Sequence, residues 1–126
     1  MNQIINTNNA PAPIGPYSQA VIANGFLFLS GQVAINPESG EVIQSSISEE
    51  TQQVMRNIKA LLLEAAYEFK DVVKTTIFLS DMSLFAEVNE VYGSYFESTF
   101  PARETIAVKG LPKGVNVEIS MTAYKG

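Results

Sequence analysis

The chain has no cysteine, no histidine and no tryptophan, and only two of its 126 residues, Arg56 and Arg103, are arginine. These absences remove whole classes of chemistry. Thiol nucleophiles, Cys/His zinc sites, Ser-His triads and histidine-ligated haem are all excluded. Without cysteine there is no redox signature either, which suits a cytosol without proving one. Positive charge is also scarce. The formal net charge is −5 and the pI is near 4.6, with no basic run, so a phosphate-backbone binder is not expected. The N-terminal stretch lacks a basic segment leading into an apolar one, and no apolar run is long enough for a bilayer. The expectation is a cytoplasmic protein that binds neither membrane nor nucleic acid.

What is present describes a globular chain. Hydrophobic residues make up 46% and charged residues 17%, and this length suits one domain with a buried core. Residues up to about Asn6 can add a short strand, and the proline-rich stretch from Ala10 to Tyr17 reads as a stiff loop. Ser18 to Ala23, the turn Asn24-Gly25 and Phe26 to Ser30 read as a type I′ hairpin. Ser46 or Ser48 caps a long helix in a capping-box pattern with Glu49. Its stripe of Val54, Ile58, Leu61, Leu62 and Ala65 faces the core, and helical character fades near Phe69.

Val72 to Leu79 is a central strand, with one face formed by Val73, Thr75, Ile77 and Leu79. A second helix begins at Ser80 or Asp81 and buries Phe85, Val88, Tyr92, Tyr95 and Phe96. Thr105 to Val108 and Asn116 to Tyr124 are strands, the latter with clean alternation. This order predicts an α+β fold in which two helices cover one face of a single mixed sheet, with a right-handed strand-helix-strand crossover. The uncovered face, carrying Thr, Ser, Glu and scattered apolar groups, invites self-association.

Several residues stand out as chemical candidates, each with a plainer alternative. Arg103 follows Phe100-Pro101-Ala102 at the mouth of a strand. There it could receive a carboxylate on its planar fork, or form an edge ion pair. Glu118 projects from the polar face of the last strand, which could pair with the strand carrying Thr105. Tyr17 is either held by its stiff loop or packed over the sheet. Gly31, after Ser30, allows close approach of a ligand or marks a β-bulge. Asn89 sits beside the buried stripe of the second helix.

Six blocks in order resemble the RidA (YjgF-like) family of imine/enamine deaminases over essentially the whole chain. They are residues 12–20 (APIGPYSQA), 29–32 (LSGQ), 71–76 (DVVKTT), 88–92 (VNEVY), 100–103 (FPAR), and Leu111-Pro112 followed by Val117-Glu118-Ile119. The resemblance implies a chorismate-mutase-like fold, a homotrimer with clefts between subunits, and no cofactor or metal. It implies hydrolysis of 2-imino acids such as 2-iminobutanoate and 2-iminopropanoate to 2-oxo acids and ammonia. Arg103 would grip the substrate carboxylate and Glu118 would orient or activate water. Tyr17, Ser30, Gly31, Asn89 and Thr105 would line the cleft. Two departures accompany it: Thr105 stands where many members have cysteine, and Tyr67 falls where the helix commonly ends in glycine. The competing readings are a non-catalytic binder of 2-oxo acids and a protein-interaction or chaperone-like module using the same cleft.

Overall fold

A computed structural model describes residues 2–126. Six strands form one mixed sheet: β1 (Gln3–Ile5), β2 (Ala20–Ala23), β3 (Phe26–Leu29), β4 (Val72–Leu79), β5 (Ala102–Ala107) and β6 (Val117–Tyr124). Two helices, α1 (Ile47–Glu64) and α2 (Phe85–Gly93), cover one face. The spatial order is β1-β2-β3-β6-β4-β5. Only β4 and β5 run parallel; every other pairing is antiparallel. The β2–β3 hairpin turns on Asn24 and Gly25, both with positive φ (52° and 85°), as a type I′ turn requires.

The core follows the alternation of β6: Val117, Ile119, Met121 and Ala123 are buried against Val54, Ile58, Leu61 and Leu62 of α1. On the other face Phe26, Phe28 and Tyr124 cluster with their rings 4.6–6.1 Å apart, and each remains exposed. Among the described residues, no helix is long and apolar enough to cross a membrane.

Four local expectations are corrected. First, α1 stops at Glu64, well before Phe69, in a Schellman cap: Tyr67 N–H donates to the Leu62 carbonyl (2.8 Å) and Ala66 N–H to that of Leu63 (3.0 Å). The left-handed residue is Ala66 (φ 64°), not Tyr67. Tyr67 is buried, and its hydroxyl donates to the Gly25 carbonyl at 2.8 Å. Second, Val73 does not share a face with Thr75. A bulge between Val72 and Lys74 turns it outward, leaving it 46% exposed. Third, α2 is preceded by a short 3₁₀ turn (Met82–Leu84) capped by Asp81, and it ends at Gly93, so Tyr95 and Phe96 pack from the turn beyond it. Fourth, β6 does not pair with the strand carrying Thr105; β4 lies between them.

A buried acid fixes the start of β6. Glu50, in the first turns of α1, is fully buried. Its Oε2 accepts from the backbone N–H groups of Asn116 (2.7 Å) and Val117 (3.0 Å), and its Oε1 accepts from the Asn116 side-chain amide (3.1 Å). These charge-assisted bonds satisfy a carboxylate that burial would otherwise penalise. They also lock the backbone immediately before Glu118.

Candidate active site

The chemistry-bearing residues divide into two groups. Glu118 alternates with the buried Val117 and Ile119, so its side chain leaves the sheet on the face away from the helices. It lies against Gly31. Between Phe28 opposite Thr122 and Gln32 opposite Ile119 the pairing slips by one residue, so Ser30-Gly31 bows away from β6. The bulge and the candidate site are therefore the same feature. A Cβ on Gly31 would overlap Glu118 Oε2 and come within 2.9 Å of its Cδ, so a larger residue there would displace this carboxyl from its present position. Burial there pushes the Glu118 carboxyl above the usual carboxylate range, because removal from water disfavours the charged form.

Ser30 donates its hydroxyl to the Ser18 carbonyl at 2.6 Å, leaving its oxygen lone pairs to accept. Tyr17, 53% exposed, reaches the same space from the proline-rich loop. That loop is held by Gln19, whose buried amide donates to the carbonyls of Thr7, Ala10 and Pro11 and accepts from Thr7 N–H. Tyr17, Ser30, Gly31 and Glu118 line one cavity of about 640 Å³.

The second group sits on the helix-covered side. β5 begins at Ala102 rather than at Thr105, so Arg103 is the second residue of the strand. It is in register with Thr75, whose Oγ1 accepts from the Tyr92 hydroxyl at 3.0 Å. Three residues on one face of α2 hold its guanidinium. Phe85 and Tyr92 place their rings 5.4 and 5.3 Å from Cζ, and Asn89 Oδ1 accepts from Nη1 at 2.6 Å. Spacings of four and three residues put these three side chains on one stripe. Phe85 and Tyr92 read as core from sequence alone, and the guanidinium over their rings is what reveals the second role.

The edge ion pair weighed as an alternative for Arg103 is not formed; the pair on this edge joins Lys74 to Glu104 at 2.9 Å. Among the described residues Arg103 has no carboxylate within 4.0 Å. With Asn89 and Phe100 it borders a second cavity of about 440 Å³. Thr105 faces the same side two residues further on. Its Oγ1 is buried with no hydrogen-bond partner, and it borders neither cavity.

Within one chain, then, Arg103 and Glu118 do not meet. They leave opposite faces of the sheet, with β4 between their strands. One half offers an unpaired, pre-oriented cation; the other offers a half-buried carboxyl beside open backbone.

The whole-chain likeness to known proteins is close. The family model described as Endoribonuclease L-PSP matches residues 7–125. The chain belongs to the RidA (YjgF-like) family. A RutC family protein of Pyrococcus horikoshii is 50% identical over 125 residues, covering 99% of each chain. The human 2-iminobutanoate/2-iminopropanoate deaminase is 42% identical over 126 residues, covering all of this chain and 92% of that one. A Thermotoga maritima crystal structure superposes with a TM-score of 0.97 at 46% identity, covering 100% and 99% of the two chains. The α+β architecture expected from the sequence is that of RidA-family structures, and family members include named imine deaminases.

Proposed function

We propose that this RidA-family protein hydrolyses 2-imino acids to 2-oxo acids and ammonia, in clefts completed by a second copy of the chain within a homotrimer. One observation carries the reading: an arginine without an acidic partner, and a glutamate of raised pKa, stand on opposite faces of one sheet. Neither can act on the other's ligand unless two chains meet. Arg103 and Asn89 of one copy would face Tyr17, Ser30, Gly31 and Glu118 of the next.

The chemistry matches this inventory. The imine carbon is already electrophilic, so the reaction needs a held substrate, a placed water and a proton path, not a strong nucleophile. Arg103 takes both oxygens of the substrate carboxylate. Glu118 accepts a proton as water adds to the C=N carbon and returns one to nitrogen. The tetrahedral carbinolamine then expels ammonia and leaves the 2-oxo acid. Fixed geometry can supply several kcal/mol, and one acid-base carboxylate roughly 10²–10⁴-fold. RNA cleavage, the activity in the family description, finds less support. Among the described residues Arg103 and Lys113 are the lone cations bordering the two cavities, and the net charge is −5.

The test follows decay of freshly generated 2-iminobutanoate with and without the protein. Arg103→Lys, which keeps the charge but loses the fork, should raise KM about ten- to hundredfold. Wild-type kinetics in that variant would remove the carboxylate clamp. A purely binding module would show no acceleration at all, and its Glu118→Gln form would bind 2-oxobutanoate normally.

A further inference from the structure

Among the described residues, two ionisable side chains besides Tyr17 border the larger cavity: Glu118 and Lys113. The mechanism above uses the first and leaves the second without a task. Lys113 is built into the chain in an unusual way. Its backbone lies in the left-handed region (φ 56°, ψ 19°), where a side chain with a Cβ costs about 1 kcal/mol or more relative to glycine. It is followed by Gly114, also left-handed at φ 66°. Two turn bonds close around it, Gly114 N–H to the Leu111 carbonyl at 3.1 Å and Val115 N–H to that of Pro112 at 3.2 Å. The next residues are those clamped by Glu50, so the Lys113 backbone is fixed relative to Glu118 five residues on.

The side chain itself is uncommitted. Among the described residues no carboxylate lies within 4.0 Å of its ammonium group, and it donates no hydrogen bond within the chain. A strained, exposed cation with no partner, on the rim of a cavity in an acidic protein, does nothing for folding that glycine would not do better. Asn24 and Ala66 are left-handed as well and serve a turn and a helix cap; Lys113 differs from them in bringing an uncommitted charge to a cavity rim.

We infer that Lys113 selects substrates carrying a second negative group, so that the cleft favours 2-imino acids with an acidic side chain. The inference rests on the imine-hydrolysis reading. Arg103 takes the carboxylate next to the C=N carbon, Glu118 serves that carbon, and Lys113 lies across the same cavity where the side chain extends. A side-chain carboxylate finds there the one positive charge on that wall. A neutral side chain of the same length meets the ammonium without compensation.

Two imines of equal chain length make the comparison: 2-iminosuccinate, with a side-chain carboxylate, and 2-iminobutanoate, without one. The quantity read is the ratio of their kcat/KM values. In Lys113→Gln the ratio should fall about three- to tenfold in disfavour of 2-iminosuccinate, through KM, as expected for one partly screened charge-assisted contact. Lys113→Arg should restore it. Lys113→Gly should show the same fall while unfolding at a higher temperature, which separates ligand selection from a structural role. The same ratio in all four proteins, or an equal loss on both substrates, overturns the inference. No acceleration of either imine by the wild-type protein overturns the imine-hydrolysis reading beneath it, a different result.

Discussion

At the scale of single residues, the proposed site depends on Glu118 being held where water is partly excluded. The sign of the consequence follows from its raised pKa. A carboxyl that resists ionisation when folded opposes folding wherever it is charged. That cost is absent below the ordinary carboxylate pKa and is fully present above the folded one. Glu118→Gln should therefore raise the unfolding temperature at pH 7 and give no gain near pH 4, while lowering turnover about 10²–10⁴-fold. The wild-type rate should fall on the acid side through a pKa above that of a free glutamate. Melting curves and rate profiles across pH check both statements; an acid limb at the value of a free glutamate would remove Glu118 as the base. Gly31 was legible in sequence as a place of close approach, but what approaches it was not. The Glu118 carboxyl occupies the Cβ position, a contact between strands distant in the chain that no local pattern reports.

At the scale of elements, most of the fold was readable because it follows period and turn chemistry. The bounds of β4, the Asn24-Gly25 turn and the Ser46 cap of α1 appear as expected, the last with Ser46 Oγ accepting from Glu49 N–H at 3.1 Å. The misses come from tertiary context. Nothing in the local pattern singles out Glu50, yet it is buried by a partner 66 residues away. Arg103 falls inside β5 because β4 offers a parallel ladder that begins at Ala102. The end of α1 supplies a prediction. Ala66 holds a left-handed cap conformation that glycine adopts without a Cβ clash, so Ala66→Gly should stabilise by about 0.5–1 kcal/mol. For a chain of this length that is a rise of about 3 °C in Tm, at matched protein concentration. The Lys125 ammonium, 2.9 Å from the Ala66 carbonyl, has no reason to move. A fall in Tm would mean the alanine methyl is packed rather than strained.

At the scale of the whole molecule, the halves of the proposed site lie on opposite faces of one sheet, and this gives a test that needs no structure of the assembly. Arg103→Ala and Glu118→Gln should each be nearly inactive alone. Unfolded together in equal amounts and refolded, they should recover about a quarter of wild-type activity. A random mixture pairs an intact arginine face with an intact glutamate face at that share of its interfaces. No recovery, in a mixture shown to exchange subunits, would mean that each chain works alone.

Helix α2 ties folding to recognition. The spacing that makes it fold, with Phe85, Val88 and Tyr92 turned toward the sheet, also sets the two rings and Asn89 that cradle the guanidinium. Substitutions that enlarge or reshape Phe85, Asn89 or Tyr92 would re-aim the proposed anion receptor along with any gain in stability. A hardened variant is therefore best sought by mutating α1 and its cap, where packing can be improved without retuning substrate affinity.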